Sequence, residues 1–337
     1  MNRTMVRTRG LTRHFTVDKQ TVEAVRGLDL HIEAGETVAL LGPNGAGKST
    51  TLRMLTSLLP PTSGAAEVAG YDVVADPRAV RRRIGYIGQG NGAAHSQWGR
   101  DELISQGRAY GLTIPAARRR AAELIDSLDL SAVADRVVST LSGGQRRRLD
   151  IAMGLIHSPA LLFLDEPSTG LDPQNRANLQ QHILDLRARH GTTVVLTTHY
   201  LAEADQLADR IVVIDHGRVI ADDTPARLKS EHAGDRITLE FADVSSAERA
   251  ATRARGLLSR GRVECLGPLL IVEAVGGTGL APLLLRGMDE AGLSVSSVEV
   301  ARPTLDDVFL TLTGRSLRED GSSVEATDVP ARQAGVA

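Results

Sequence analysis

The 337-residue sequence has few cysteines, few aromatic side chains and no long apolar run. Its one cysteine, Cys265, excludes an internal disulfide and a metal site built from several cysteines, as expected in a reducing compartment. The N-terminus lacks the apolar core of a signal peptide, and no run of about 18 apolar residues occurs. We therefore expect a chain that does not itself span a membrane.

An excess of charge of either sign is also absent. Lys and Arg total 39 against 41 Asp and Glu, a net charge of −2. Proteins that bind nucleic acid through its phosphates are usually basic, so we expect no nucleic acid partner. Apolar residues make up 42% of the chain, and its length suits two domains better than one.

The clearest motif is Gly-Pro-Asn-Gly-Ala-Gly-Lys-Ser, which occupies residues 42–49 between a buried strand and a helical pattern. Such a loop directs backbone N–H groups at one point, and its glycines leave room for a phosphate. The motif predicts that Lys48 contacts the β- and γ-phosphates of a nucleoside triphosphate and that Ser49 binds Mg²⁺. The predicted nucleotide-binding residues here are Gly42, Pro43, Asn44, Gly45, Ala46, Gly47, Lys48, Ser49 and Thr50.

Two carboxylates end the apolar segment that begins at Ala160. The carboxyl end of a buried parallel strand is where an α/β sheet presents its ligand site. Asp165 suits the Mg²⁺ shell, and Glu166 suits the polarisation of an attacking water. His199 ends the next buried strand and is either a structural histidine or a contact to the γ-phosphate.

Two other segments each allow two interpretations. In Leu-Ser-Gly-Gly-Gln, residues 141–145, Ser142 can cap a helix and the glycines can let backbone amides approach an anion. Alone, this is also an ordinary cap and turn. Phe15 lies in the first predicted hairpin, where it either stacks on a nucleobase or fills the core beside Leu11.

Together these motifs resemble, in order and spacing, the nucleotide-binding subunit of an ABC transporter over about residues 4–230. They match its Walker A, Q-loop, signature, Walker B, D-loop and switch histidine. The resemblance implies an α/β P-loop ABC ATPase fold, with a parallel core sheet, an antiparallel β subdomain and a helical subdomain. One departure follows Gln89, where residues 90–95 are small and polar in place of a bulkier apolar segment.

The resemblance also implies roles for single residues. Phe15 holds adenine, Glu166 is the catalytic base and His199 contacts the γ-phosphate. Gln89 touches the Mg²⁺–water site, so Ser49, Gln89 and Asp165 form the predicted metal site. The signature residues Ser142, Gly143, Gly144 and Gln145 bind the ATP of the opposite subunit in a homodimer.

The C-terminal part predicts a second domain. From Arg236 to Val300 the elements follow the order βαββαβ, which is the ferredoxin-like pattern. Thr304 then caps a helix with Leu305, Val308, Phe309 and Leu312 on one face. This region resembles the C-terminal extension of daunorubicin-resistance-type ABC ATPases, with a generic α+β domain as the alternative. We expect domains at 1–230 and 236–314, and a disordered tail at 315–337.

The sequence therefore predicts an ATPase subunit that uses ATP and Mg²⁺ to power export of a hydrophobic small molecule. The resemblance implies separate ABC-2 membrane permease subunits as partners, and a peripheral place on the cytoplasmic face of the cell membrane. The alternative is a soluble ABC-type ATPase that acts on nucleic acid or the ribosome. Such proteins usually carry two cassettes, long coiled coils or zinc-binding cysteines, which this sequence lacks.

Overall fold

The computed structural model describes residues 3–90, 92–258, 261–274 and 277–314. The chain divides after Leu228 into two compact units. This division falls close to the predicted end of the first domain at residue 230. The predicted disordered tail, 315–337, lies outside the described residues. Within the described ranges, no helix is both long enough and apolar enough to cross a membrane.

The first unit alternates strands and helices after an opening run of strands. Its strands are β1 (Thr4–Val17), β2 (Gln20–Leu28), β3 (His31–Glu33), β4 (Thr37–Leu41), β5 (Ser63–Val68), β6 (Tyr71–Asp72), β7 (Ile84–Ile87), β8 (Leu161–Asp165), β9 (Thr193–Thr198), β10 (Arg210–Asp215) and β11 (Arg218–Asp223). Its helices are α1 (Lys48–Leu55), α2 (Pro77–Arg83), α3 (Gly99–Ala109), α4 (Ile114–Ser127), α5 (Gly143–Leu155), α6 (Pro173–His190) and α7 (Leu201–Leu207). A further helix, α8 (Pro225–His232), spans the division between the units.

The central sheet of the first unit has the strand order β11-β10-β4-β9-β8-β7. The strands from β10 to β7 are parallel, and β11 is added as an antiparallel hairpin partner. Every residue of β4, β8 and β9 is buried, which explains why β4 and β8 are almost continuously apolar. Because parallel strands end at one edge, the segments after β4, β7, β8 and β9 meet there.

An antiparallel sheet of order β2-β1-β5-β6, with β3 also paired to β1, completes the strands of this unit. The helical segment between the phosphate-loop helix and the signature helix is divided into two helices, α3 and α4. Gly111 has φ +89°, and the Thr113 hydroxyl accepts a hydrogen bond from the Ala116 N–H at 3.4 Å. A left-handed glycine ends one helix and a capping threonine begins the next.

The second unit contains β12 (Asp235–Glu240), α9 (Val244–Leu257), β13 (Arg262–Leu266), β14 (Leu269–Ala274), α10 (Gly277–Glu290), β15 (Ser297–Ala301) and α11 (Leu305–Thr313). Its sheet order is β13-β14-β12-β15, and all neighbours are antiparallel. Ile237 and Leu239 pack with Ala250 of α9 and Leu284 of α10 in one apolar core. This is the predicted ferredoxin-like arrangement.

The predicted cap and apolar face of the last helix are confirmed. Thr304 accepts from the Asp307 N–H at 3.3 Å, and Asp307 accepts from the Thr304 N–H at 2.8 Å. Leu305, Val308 and Phe309 are buried, and Leu312 is half-buried.

Candidate active site

Two glycines in the loop between β4 and α1 pack so closely against neighbouring backbone that a side chain would not fit. A Cβ atom on Gly42 would lie 2.1 Å from the Ile214 carbonyl oxygen. Gly47 has φ +103°, and its Cβ would lie 2.3 Å from the Ala24 carbonyl oxygen. Any side chain at either position would displace neighbouring backbone, so both glycines are required by the fold of the loop.

Lys48 is the first residue of α1 and is 4% exposed. Its Nζ donates to the carbonyl oxygens of Gly42 at 2.8 Å and Pro43 at 2.9 Å. The same nitrogen lies 3.8 Å from Oε1 of Glu166. Burial lowers the pKa of Lys48, while the charges of Glu166 and Asp165 oppose that effect. The loop thus holds one buried cation beside the two carboxylates that end β8.

The three predicted metal ligands form one chain of hydrogen bonds. Ser49 Oγ donates to Asp165 Oδ1 at 2.8 Å, and Gln89 Nε2 donates to Ser49 Oγ at 3.3 Å. Asp165 is fully buried, and its Oδ2 has no hydrogen-bond partner. Oxygen donors of this kind suit Mg²⁺. Among the described residues, no three His, Cys, Asp or Glu side chains converge on a metal site.

Glu166 follows β8 and contacts the predicted switch histidine. Its Oε2 lies 3.5 Å from His199 Nδ1 and accepts from the Thr169 hydroxyl at 3.2 Å. The pKa of Glu166 is lowered, first by the His199 ring and then by the charge of Lys48, against the effect of burial. Glu166 is therefore ionised at neutral pH. An ionised carboxylate can accept a hydrogen bond from water and orient it.

Thr197 in β9 is a residue that the sequence analysis missed. Its hydroxyl donates to Asp165 Oδ1 at 2.7 Å and accepts from the Glu166 N–H at 2.9 Å. The Thr197 hydroxyl therefore holds both the side chain of Asp165, the predicted metal ligand, and the backbone of Glu166, the predicted base. The sequence shows only a threonine inside an apolar strand. Its importance comes from the pairing of Asp165 with Thr197 across two strands.

Glu203 on α7 is a second residue that the sequence analysis missed. It is 1% exposed, and neither carboxyl oxygen makes a hydrogen bond of ordinary geometry. Burial raises the pKa of Glu203, and the nearby Thr198 and Ser168 hydroxyls offset only part of that rise. This buried acid lies between the segment that follows Glu166 and the end of β9.

Two adjoining cavities lie at the loop between β4 and α1. The first, of about 300 Å³, is lined by Ala24, Asn44, Gly45, Gly47, Lys48, Ser49, Thr50, Gln89 and Glu166. The second, of about 600 Å³, is lined by Thr21, Val22, Glu23, Ala24, Arg26, Gly45 and His216. Ala24 and Gly45 line both cavities. The structure thus brings the phosphate loop, Gln89 and Glu166 to one place.

Phe15 lies outside the buried core cluster. It is half-buried and pairs with Val22, which lines the second cavity. Directly paired residues of antiparallel strands project on the same face. The Arg13 guanidinium covers one face of the ring at 4.7 Å from its centroid. Leu11 belongs to the buried core cluster and Phe15 does not, which favours the base-stacking interpretation.

The signature residues form a helix start of their own. Ser142 Oγ accepts from the Gln145 N–H at 3.3 Å, and Gln145 Oε1 accepts from the Ser142 N–H at 3.0 Å. A Cβ on Gly144 would lie 2.4 Å from Asn175 Oδ1, so this glycine is needed where α5 meets α6. None of the four predicted signature ligands, Gly143 included, lines the cavity at Lys48. A single chain does not bring them to its own phosphate loop.

Comparison with known proteins agrees with this geometry. The family model described as ABC transporter matches residues 25–169. The chain is 45% identical over 308 residues to the daunorubicin/doxorubicin resistance ATP-binding protein DrrA of Streptomyces peucetius, covering 90% of this chain and 92% of that protein. It is 35% identical over 302 residues to the linearmycin resistance ATP-binding protein LnrL of Bacillus subtilis, covering 89% and 96% respectively.

A solved structure is similar to about two thirds of this chain. It is a dimeric, post-hydrolysis state of the ATP-binding cassette MJ0796 bound to ADP and phosphate. The TM-score is 0.61 at 26% sequence identity, and the match covers 65% of this chain and 98% of that chain.

Proposed function

The chain belongs to the daunorubicin-resistance-type ATP-binding proteins of ABC transporters, and we propose that it hydrolyses ATP to export a hydrophobic small molecule through separate ABC-2 membrane permease subunits. The observation that carries this proposal is one cavity where Lys48, Ser49, Gln89 and Glu166 converge at the carboxyl edge of the central sheet.

Each residue of that cavity has a task that its geometry suits. The loop amides and Lys48 bind the phosphates, whose negative charge replaces the carbonyl contacts that Lys48 now makes. Ser49 and Asp165, with Gln89 beside them, hold Mg²⁺. When bound, Mg²⁺ would neutralise the negative charge that develops on the phosphates. Glu166 orients the attacking water.

Phe15 is proposed to stack on the adenine ring, because it pairs with Val22, which lines the second cavity. Stacking requires only an apolar π face, which phenylalanine supplies without a hydrogen bond. The Arg13 guanidinium occupies one face of that ring, so the base stacks on the other.

Two copies are proposed to enclose two ATP molecules. Ser142 Oγ uses a lone pair to accept from the Gln145 N–H, so its own hydrogen remains available for a phosphate oxygen. The positive end of α5 adds to this anion site. Since the site is separate from Lys48 in one chain, a second copy supplies it, and twofold symmetry produces two such sites.

The exported compound is proposed to be a hydrophobic antibiotic or drug, since the named relatives are resistance proteins. Their names also favour export over the alternative of an ATPase acting on nucleic acid or the ribosome. With permease partners, the protein lies peripherally on the cytoplasmic face of the membrane.

Steady-state ATP hydrolysis by purified full-length protein tests the proposal. Glu166→Gln keeps the side-chain shape but removes the carboxylate, and we expect turnover to fall by about 10²–10⁴-fold. Lys48→Ala should weaken both ATP binding and turnover, because the ammonium contacts phosphate before and during the reaction. Glu67→Gln changes an exposed strand residue and serves as the control. A Glu166→Gln protein with wild-type turnover would remove Glu166 from the mechanism.

A further inference from the structure

Two charged side chains lie buried on α5 and have no role in the site as described so far. Arg147 is 7% exposed and Asp150 is 4% exposed. They are three positions apart, so they lie on one face of the helix. This is the helix that Ser142 caps.

Arg147 contacts the ends of two strands through its guanidinium group. Nη1 donates to the Gly88 carbonyl oxygen at 2.7 Å, immediately before Gln89. Nε donates to the Pro167 carbonyl oxygen at 2.8 Å, and Nη2 donates to the Asp165 carbonyl oxygen at 3.3 Å. Arg147 therefore joins α5 to the backbone on both sides of Glu166 and to the backbone before Gln89.

Asp150 contacts the chain on the other side of Gln89. Its Oδ1 accepts from the Gly92 N–H at 3.0 Å and from the Ala93 N–H at 3.1 Å. The packing is close, because a Cβ atom on Gly92 would lie 3.3 Å from the same oxygen. Gly92 and Ala93 belong to the segment that departs from the family pattern, and their small size lets the buried Asp150 carboxylate reach both backbone amides.

We propose that Arg147 and Asp150 are positioning residues that hold the backbone on both sides of Gln89 and so place its amide group against Ser49. The inference rests on the proposed function, in which Gln89 and Ser49 act at the Mg²⁺ site. Gln89 itself is exposed and donates to Ser49 at 3.3 Å, so its own side chain makes few contacts that fix it. The two charged residues thereby couple the helix that carries Ser142 to the metal site of the same chain.

The chemistry of the two side chains suits this task. A guanidinium presents several donors in a rigid plane and can satisfy three carbonyl groups at once, which a lysine cannot do with the same geometry. Burial lowers the pKa of Arg147 and raises the pKa of Asp150, and each charge opposes the effect on the other. Each charge therefore lowers the cost of burying the other, while the backbone contacts fix where each side chain lies.

A double-mutant cycle between Asp150 and Gln89 distinguishes positioning from a general structural role. With saturating MgATP and full-length protein, we expect Asp150→Ala to lower kcat about tenfold or more with little change in ATP affinity. In a Gln89→Ala background the same change should have less than about a twofold effect, because its target is gone. Asp150→Asn keeps an oxygen acceptor for both amides and should retain wild-type kcat.

Two further variants keep the test decisive if Asp150→Ala fails to fold. Arg147→Lys breaks the three-carbonyl contact and should lower kcat more in the presence of Gln89 than in the Gln89→Ala background, where only its contacts beside Glu166 are left to lose. Arg148→Gln is the matched control, because Arg148 lies on the same helix but bonds to Leu128 and Asp129, away from Gln89. It should leave kcat unchanged.

Equal fold-losses in the presence and absence of Gln89 would overturn the inference and leave the proposed function intact. A loss in Asp150→Asn as large as that in Asp150→Ala would also overturn it. If Gln89→Ala itself had wild-type kcat, the assigned role of Gln89 would fail, and the inference with it.

Discussion

Asp165 and Glu166 are adjacent in the sequence, but the structure gives them different surroundings. Asp165 is fully buried and bonds to Ser49 and Thr197. Glu166 has φ +47°, a left-handed conformation that costs about 1–2 kcal/mol in a residue with a Cβ atom. This turn directs its carboxylate into the cavity and away from Asp165. The two hydrogen bonds of Thr197 help to hold the conformation.

Thr197→Val tests that support at the residue scale. Valine has nearly the same shape, but it removes the hydroxyl that bonds to Asp165 Oδ1 and to the Glu166 N–H, while the Glu166 N–H keeps its 3.2 Å bond to the backbone carbonyl of position 197. We expect the free energy of unfolding to fall by about 1–3 kcal/mol and ATP turnover to fall as well. Thr193→Val in the same strand loses a bond from the Gly35 N–H instead. Urea denaturation with parallel ATPase assays should show lower stability in both variants and lower turnover only in Thr197→Val.

Glu203→Gln tests the raised pKa of the buried acid. Since the folded state holds this proton more tightly than the unfolded state, folding stability falls as pH rises above the ordinary value of 4.5. The fall ends above the raised folded-state pKa. Glutamine is neutral throughout, so its stability relative to wild type should increase with pH over that window. A difference in the free energy of unfolding that stays constant from pH 4 to pH 8 would contradict this account.

At the scale of elements, the sequence was informative wherever a motif is local. The strand β4, its loop and α1 are contiguous, so the sequence on either side of residues 42–49 already showed the strand and the helix that the motif requires. The start of α5 and the acidic end of β8 were equally local. The contacts of Thr197, Arg147 and Asp150 depend on which strands lie side by side, namely β7 with β8 and β8 with β9. No short pattern encodes that order, and these residues were missed.

A variant that ends at Ser230 tests the independence of the first unit. Every residue that lines the two cavities lies before the division at Leu228, and the unit has its own apolar core. We expect ATP affinity, measured by equilibrium dialysis, to match that of the full chain. The described residues of the second unit line neither cavity, and we expect this unit to serve partner binding instead, so recovery of the permease in a pull-down should fall. Loss of ATP binding, or equal permease recovery, would count against these two expectations respectively.

At the scale of the whole molecule, ATP is proposed to be part of the interface between two copies of the chain. One half-site is the phosphate loop with Lys48, and the other is the capped start of α5 with Ser142. If two copies close around ATP, hydrolysis removes the γ-phosphate that joins the half-sites and allows them to open. This cycle is what would transmit the energy of ATP to a membrane partner.

Light scattering of the Glu166→Gln protein is the most direct test of that claim, because this variant should bind ATP and hardly hydrolyse it. With ATP and Mg²⁺ the scattering mass should be twice that of one chain, and with ADP it should equal one chain. Adding Ser142→Arg, or Ser142→Asp to preserve the helix cap, should abolish the dimer and leave ATP binding by the monomer intact. A Glu166→Gln protein that remains monomeric at saturating ATP would contradict the account.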